Sequence, residues 1–476
     1  MNVILILSAL GLLTLFAGVY NMRKMLLPIV LVGLVIAFAV NQIPWSQPAA
    51  DQVSNQFYGK YVSGMLQFDH FAIAFTGLLI ISAAFIFFLC DQYYRADEHH
   101  TADIYGLIIF TVVGGVMMAS YMHMAMLFIG IETLSISLYI LAGSKKLNLA
   151  SNEASLKYFL LGSFSTGFLL FGICLIYGAT GSFDLMVIKD WVVAHADHLP
   201  LIFKTGLFLM AVGLLFKVSA APFHFWTPDV YEGSPTLITA FMASVVKIAG
   251  FAALFRLFYT CFGSILPVWY YTIGVVAVLT ILIGNFSAIT QSSVKRMLAY
   301  SSIANVGYIL IGVLSMNAHA PSALLYYLCA YSMATIAAFG VLMVVSKAKG
   351  NEGYDAFNGL AKKNPLMAAV LVLAMLSLAG IPPLAGFFGK YYIFSNAIGN
   401  SIVGNNYVPI VVVAALSSLL GIVYYFRLIV AVFTPMGSED EDMHIPAKGS
   451  FSFVMAVAGL LILLLGLFPS WIIGLL

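Results

Sequence analysis

Residues 214–233 read LLFKVSAAPFHFWTPDVYEG, and they place a lysine and a proline inside a long apolar run. The run begins near residue 201, so Lys217 and Pro222 both fall well inside it. Proline removes a backbone donor and clashes with the preceding turn, so it breaks a helix. The stretch therefore predicts a helix that is interrupted beside a buried cation.

The rest of the chain has the composition of a membrane protein. Of its 476 residues, 62% are hydrophobic and only 8% are charged, whereas about a quarter of the residues of soluble domains are charged. Apolar runs long enough to cross about 30 Å of hydrocarbon as a helix recur along the chain. The net charge of +2 gives no sign of nucleic-acid binding. We expect an all-α polytopic membrane protein with about fourteen transmembrane helices.

The first apolar segment shows no sign of a cleaved signal, and the cysteines show no sign of a metal centre. Residues 1–20 lack a basic leader and a cleavage site, so we expect a retained membrane span. The cysteines are isolated within apolar runs, without a C-x-x-C or Cys/His cluster, which argues against an iron–sulfur cluster or a zinc site. They are Cys90, Cys174, Cys261 and Cys329.

The loops predict the orientation of the chain in the membrane. Lysine and arginine are concentrated in one alternating set of loops, for example at Arg23, Lys145 and Lys363. By the positive-inside rule these loops are cytoplasmic, and both termini lie outside. The loop at 180–200, on the outer side, is expected to be short and polar.

Two predicted spans, at 201–231 and 365–397, are longer than the roughly twenty residues that a straight crossing needs. The first contains Pro222 and the second contains Pro382 and Pro383, so both helices should be broken. An odd number of predicted helices separates them, so the two halves would be inverted. Paired broken helices in inverted halves are typical of transport sites, although two proline kinks could also coincide by chance.

Charged residues inside the predicted spans are the strongest functional signal. Glu132, Lys217 and Lys247 are central, the last within a continuous helix predicted at 236–259. A charge at the bilayer centre costs on the order of 3 kcal/mol, so these groups should face the protein interior. We expect Glu132 and Lys217 to form an ion pair. Lys390 lies beside the second break.

These residue types suit proton transfer. Burial favours the neutral amine of a lysine and a nearby carboxylate favours the ammonium, so a lysine can gain and lose a proton where an arginine cannot. Histidine titrates near neutral pH. The alternative is a set of static groups that only fix helix packing. The predicted proton-transfer residues are Glu132, Lys217, His224, Lys247 and Lys390.

Two further groups of polar residues leave alternatives open. One could extend a hydrated path through the second half, or merely hold membrane helices together; it comprises Asn285, Tyr300, Asn305, Tyr308, Tyr326, Tyr331 and Thr335. The other comprises Asp229 and Glu232, which follow the first break. They form either a solvated helix end or a mouth that collects protons.

Three stretches carry a family resemblance. They are FKVSAAPFHFWTPDVYEGSPTLITAFMASVVKIAGF at 216–251, SVKRMLAYSSIANVGY at 293–308 and GIPPLAGFFGKYYIF at 380–394. Together they resemble the antiporter-like subunit N family of the proton-pumping NADH:quinone oxidoreductase, respiratory complex I, from about residue 105 to 433. Sister subunits and Mrp-type antiporters share the P-F-H-x-W and G-F-x-x-K themes.

The resemblance implies a domain division with two inverted five-helix repeats, each with a broken helix. A three-helix segment at 1–100 precedes the first repeat at 101–262 and the second at 263–434, and a C-terminal helix lies at 435–476. The family's functional positions correspond to Glu132, Lys217, Lys247 and Lys390. A lysine at position 390 fits subunit N, where a sister subunit carries glutamate.

The resemblance also implies a function, partners and a location. The chain would move protons from Lys217 or Lys247 towards Lys390, without binding a cofactor of its own. NADH, FMN, iron–sulfur clusters and quinone would act in other subunits, and the partners would be antiporter-like and small membrane subunits in a bacterial plasma membrane. The alternatives are a subunit of an Mrp-type cation/proton antiporter or a membrane-bound hydrogenase, and a purely structural membrane scaffold.

Overall fold

The computed structural model describes residues 2–43, 64–94, 100–399, 407–435 and 448–476, and most of these residues are helical. Short helical turns occur at Arg23–Met25, Gly263–Ile265, Tyr354–Phe357, Leu360–Lys363 and Ser470–Ile473. The longer helices are α1 (Asn2–Val19), α2 (Leu26–Gln42), α3 (His70–Tyr93), α4 (Thr101–Ser120), α5 (Met124–Ala142), α6 (Leu149–Thr180), α7 (Leu185–Ala194), α8 (Leu201–Val218), α9 (Trp226–Gly233), α10 (Thr236–Ala243), α11 (Val245–Cys261), α12 (Leu266–Ile289), α13 (Val294–Leu314), α14 (Ala320–Lys349), α15 (Pro365–Ala379), α16 (Ala385–Gly399), α17 (Val408–Phe433) and α18 (Gly449–Leu467).

The number of membrane crossings agrees with the sequence. Among the described residues, thirteen helical segments are long and apolar enough to cross a membrane. Helices α15 and α16 are each shorter and follow one another across a break, so together they supply the fourteenth crossing. The all-α polytopic fold, with two five-helix repeats that each contain a broken helix, is confirmed.

The most enclosed helices include α11, which carries Lys247. Helices α10, α11, α13 and α14 are almost wholly enclosed, whereas α1, α2, α6 and α17 expose apolar faces at the periphery. Apolar outer faces suit contact with lipid tails. The central helices therefore keep polar side chains away from lipid.

The two proline-containing breaks fall where the sequence places them. Helix α8 ends at a left-handed residue, Ser219 (φ 67°), and α15 ends in the same way at Gly380 (φ 85°). In each case the amide nitrogen of this residue donates to carbonyl oxygens of the preceding turn. A left-handed residue is a common way to end a helix. The chain therefore turns sharply at each break, just before Pro222 and just before Pro382.

A third break was not predicted. The helix expected at 236–259 is divided at Ser244, whose φ of −111° and ψ of −80° are not helical. The Ser244 hydroxyl donates to the carbonyl oxygen of Ala240 (2.6 Å). Lys247 consequently lies in the first turn of α11 rather than in the middle of a continuous helix.

The expectation of a polar loop at 180–200 is wrong, because α7 forms there. Asp184 begins this helix by accepting hydrogen bonds from the amides of Met186 and Val187. Leu185, Ile188 and Val192 are buried on one face of α7, a spacing that is typical of an amphipathic helix.

A buried arginine ties the first helices to the first repeat. The guanidinium of Arg256 on α11 forms an ion pair with Asp69 just before α3 (2.6 Å). Its Nε also donates to the carbonyl oxygen of Ala119 on α4 (2.8 Å). Because the Arg256 side chain is only 3% exposed, this contact fixes the arrangement of α3, α4 and α11.

Candidate functional site

Lys217 occupies the last turn of α8, where it is buried. Its ammonium donates hydrogen bonds to the Ser135 hydroxyl on α5 (2.8 Å) and to the Tyr158 hydroxyl on α6 (3.3 Å). The Nζ atom also lies 5.5 Å from the centre of the Tyr158 ring, within range of a cation–π interaction. Three helices of the first repeat thus meet at this amine.

Glu132 does not form the expected ion pair with Lys217. In the described part of the chain no carboxylate oxygen lies within 4.0 Å of this amine. Glu132 is half-buried between Ile129 and Ile136, which are both exposed. The physical reason is the rotation of α5, since it is the buried Ser135, one turn further on, that faces α8.

Lys247 on α11 contacts the end of α8 at the first break. Its ammonium donates to the carbonyl oxygen of Val218, the last residue of α8 (2.9 Å). The side chain is 1% exposed. The final carbonyl groups of a helix lack intrahelical donors and attract cations. Lys247 therefore lies against the residue that directly follows Lys217.

Lys390 repeats this arrangement at the second break. Its ammonium donates to the carbonyl oxygens of Leu378 (3.2 Å) and Ala379 (3.1 Å), at the end of α15. The Nζ atom lies 4.8 Å from the centre of the Tyr308 ring. Each break thus has a buried ammonium at the carbonyl end of its first segment.

His224 lies in the first break but apart from the three lysines. It is half-buried, and its ring packs beside Phe225 (5.1 Å between ring centres). Among the described residues its buried Nδ1 has no hydrogen-bond partner. The structure does not bring His224 into hydrogen-bond contact with Lys217 or Lys247, and its role stays a prediction.

Two hydrogen-bonded groups occupy the second repeat. In one, Asn285 donates to the Tyr308 hydroxyl (3.1 Å) and accepts from the Tyr424 hydroxyl (3.0 Å). In the other, Tyr327 donates to Asn305 (2.7 Å), and Ser301 bonds to Tyr425. Tyr308 thereby connects the first group to Lys390. The predicted path member Tyr326 instead donates to the Leu465 carbonyl on α18 (2.8 Å).

The two repeats meet at a cluster of buried hydroxyls. Tyr231 on α9 and Tyr331 on α14 both lie beside Ser302 on α13. These three hydroxyl oxygens have no hydrogen-bond partner of good geometry within the described ranges. Tyr331 also lines a small cavity that reaches Leu378, an acceptor of Lys390. This cavity therefore adjoins both the hydroxyl of Tyr331 and the end of α15 at the second break.

Three residues of the site were not predicted from the sequence, and only one of them had a signal there. Ser135 follows Glu132 by three positions, so helical spacing could have placed a hydroxyl near the expected carboxylate. Tyr158 and Tyr231 carried no local signal, because tyrosine is frequent in this chain. Only the packing of α6 and α9 against α8 and α13 brings them to the site.

Comparisons with known proteins show the family of the chain. The family described as NADH:quinone oxidoreductase/Mrp antiporter, TM, matches residues 121–421. NADH-quinone oxidoreductase subunit N of Flavobacterium psychrophilum is 42% identical over 480 residues, which cover 100% of both chains.

Two solved structures have the same fold. A chain of respiratory complex I from Thermus thermophilus aligns with a TM-score of 0.81 and 33% identity, over 99% of this chain and 98% of that one. A chain of the Mrp complex from Dietzia sp. aligns with a TM-score of 0.83 over 99% and 95%, but at 18% identity it shows the fold alone. The family match and the full-length likeness to subunit N establish that this chain belongs to the NADH-quinone oxidoreductase subunit N family.

Proposed function

We propose that this chain moves protons across a bacterial plasma membrane as a membrane subunit of NADH:quinone oxidoreductase. One observation carries the proposal: Lys217, Lys247 and Lys390 are buried, and among the described residues their ammonium groups donate hydrogen bonds only to neutral hydroxyl and carbonyl oxygens. A buried ion pair would hold a lysine in its charged form. Neutral oxygen partners accept a hydrogen bond from either protonation state, so these amines can exchange protons.

The contacts suggest an order of transfer. Lys217 and Lys247 are joined through the end of α8, since Lys247 bonds to the carbonyl of Val218. The hydroxyls of Tyr231, Ser302 and Tyr331 lie between the repeats, and the cavity beside Tyr331 reaches the second break. Buried hydroxyls without protein partners are commonly satisfied by ordered water. We infer transfer from the first-repeat lysines across this junction to Lys390.

Glu132 takes a modulating role in this proposal. It lies on α5 one turn before Ser135, the acceptor of Lys217, and it is half-exposed at the surface of the chain. A carboxylate that faced lipid at this depth would be costly, so a neighbouring membrane subunit is expected to cover it. Movement of Glu132 towards Lys217 would favour the ammonium, and movement away would favour the amine.

The redox chemistry is assigned to partner subunits, where NADH, FMN, iron–sulfur clusters and quinone would bind. We propose two functional halves at 101–262 and 263–434, flanked by 1–100 and 435–476, with both termini on the outer face. An Mrp-type antiporter or hydrogenase subunit is the rival assignment. It receives less support, because full-length relatives at 42% identity are named subunit N.

Isolation of the tagged chain from its native membrane tests the assignment. We expect it to copurify with subunits that oxidise NADH, and we expect reconstituted vesicles to acidify during NADH oxidation with quinone. Copurification with antiporter subunits that lack NADH oxidation would overturn the assignment. Normal pumping by a complex that lacks this chain would exclude it from proton transfer.

A further inference from the structure

Helix α9, the second segment of the first broken helix, is held by charged side chains from both repeats. Asp229 forms an ion pair with Lys157 on α6 (2.9 Å) and another with Arg296 on α13 (3.4 Å). Glu232, one turn later, also pairs with Arg296. We name Lys157, Asp229, Glu232 and Arg296 the α9 clamp. These carboxylates are therefore engaged with cations, unlike a freely solvated helix end.

A buried lysine strengthens the attachment of α9 to the second repeat. The Lys295 ammonium donates to the carbonyl oxygens of Glu232 (2.9 Å) and Ser234 (2.8 Å), where α9 ends. It also pairs with Glu352, on the segment after α14 (3.3 Å). Two adjacent residues of α13 thus hold α9, Lys295 through its backbone and Arg296 through two of its carboxylates.

The other end of α9 lies against the surroundings of Lys217. The ring of Trp226 stacks on the ring of Tyr158, with centres 4.6 Å apart and planes 9° from parallel. The Trp226 indole also donates to the carbonyl oxygen of Phe216, the residue before Lys217 (3.1 Å). Since the Tyr158 hydroxyl accepts from Lys217, a shift of α9 would move an acceptor of that amine.

The attachment to α6 couples these two ends. Lys157 and Tyr158 are consecutive, so one turn of α6 binds α9 through an ion pair and through an aromatic stack. Gly233 lies so close to α6 that an added Cβ would approach the carbonyl oxygen of Ala150 to 2.5 Å. Helix α9 therefore has little freedom to slide along α6 while the ion pairs of the α9 clamp are formed.

We propose that Asp229 and Arg296 are positioning residues for Lys217. The α9 clamp holds Trp226 against Tyr158 and so fixes the hydroxyl that accepts from the Lys217 ammonium. Because Arg296 belongs to the second repeat, the clamp also transmits a movement of α13 to the first-repeat amine. This inference rests on the proposed proton transfer and replaces a proton-collecting role for Asp229. A single exposed ion pair stabilises little, whereas several charges in one network hold geometry better.

Replacement of Asp229 and Arg296 in the intact complex tests the inference. We expect Asp229→Asn and Arg296→Gln each to lower NADH-driven pumping several-fold, at a normal amount of assembled complex and an unchanged KM for NADH. Their combination should cost less than the product of the two single effects, because both break one clamp. Asp229→Glu keeps the charge and should restore most of the pumping.

Asp91→Asn is the matched control. It removes the same charge from an ion pair with Lys448 (2.9 Å), and both residues are distant in sequence from the α9 clamp. It should pump normally. If Asp229 collected protons instead, Arg296→Gln would keep its carboxylate, still paired with Lys157, and leave pumping intact, which would overturn the inference. Loss of the assembled complex in both clamp variants would overturn it too, since the clamp would then serve packing alone.

Lys217→Ala, measured in parallel, separates this inference from the proposed function. Reduced pumping by Lys217→Ala together with normal pumping by Asp229→Asn would refute the clamp and leave the function standing. Normal pumping by Lys217→Ala would refute proton transfer through that amine.

Discussion

Lys247 donates a hydrogen bond to the carbonyl oxygen of Val218 across 2.9 Å, at the end of the half-helix that carries Lys217. Lys390 makes the corresponding contact at the second break, with Leu378 and Ala379. In the first repeat the lysine comes from the following helix, whereas in the second it comes from the broken helix itself. Both amines therefore cap an interrupted helix, and in the proposed function both also carry a proton.

The cap and the proton carrier can be separated at Lys390. Arginine keeps a cation at the carbonyl end of α15 but does not release its proton. We predict that Lys390→Arg assembles normally and loses most of its proton pumping. Lys390→Met should lose pumping and also lower the amount of assembled complex. Native gels of the membranes, with vesicle acidification, check both effects, and full pumping by Lys390→Arg would show that the residue only caps the helix.

The hydroxyl of Ser135 accepts a hydrogen bond from Lys217, and we expect proton pumping to depend on it. A hydrogen bond to a charged group contributes about 1.5–3 kcal/mol, so Ser135→Ala should destabilise the Lys217 ammonium by about that amount and lower pumping. Ser137→Ala on the same helix is the control, because Ser137 donates only to the carbonyl of Thr133 (3.0 Å). Equal pumping by these two variants would contradict the assignment of Ser135.

Tyr308 offers a test of the path in the second repeat. Tyr308→Phe keeps the ring beside Lys390 and removes the hydroxyl that accepts from Asn285. We predict a several-fold loss of pumping with normal assembly. Tyr326→Phe removes a hydroxyl of the same type from the Leu465 carbonyl, and it should leave pumping unchanged. A normal rate in Tyr308→Phe would mean that only the ring is needed.

The second break depends on the close approach of two segments. A Cβ added to Gly386 would collide with the carbonyl oxygen of Ser377, whereas one added to Gly167 would meet nothing within 4 Å. Overpacking costs about 1–3 kcal/mol, and more where backbone must move. We predict that Gly386→Ala sharply lowers the amount of folded chain and that Gly167→Ala does not. Immunoblots of detergent-soluble chain measure this difference, and equal amounts would contradict the packing at Gly386.

Much of the fold could be predicted from the sequence, because composition and proline act locally. Low charge and long apolar runs indicate membrane helices, and Pro222 and Pro382 mark both principal breaks. The break at Ser244 could not be predicted, since no proline or glycine adjoins it. Its non-helical backbone depends on tertiary packing around α10 and α11.

The candidate site was predicted less completely. The buried positions of Lys217, Lys247 and Lys390 agree with the expectation that intramembrane charges face the interior. Their partners could not be read from the sequence, because two of the three bond to backbone carbonyls that exist only once a helix is broken. Ser135, rather than Glu132, meets Lys217 because helix rotation is set by packing across several helices.

The central claim is that buried lysine amines carry the translocated protons, and Lys247→Ala tests it most directly. The variant removes the amine of a fully enclosed residue that forms no ion pair among the described residues. Proton uptake and release per NADH oxidised should be measured in vesicles that contain equal amounts of assembled complex. We predict that Lys247→Ala lowers pumping at least several-fold, and pumping and NADH oxidation at the unmodified rates would contradict the account.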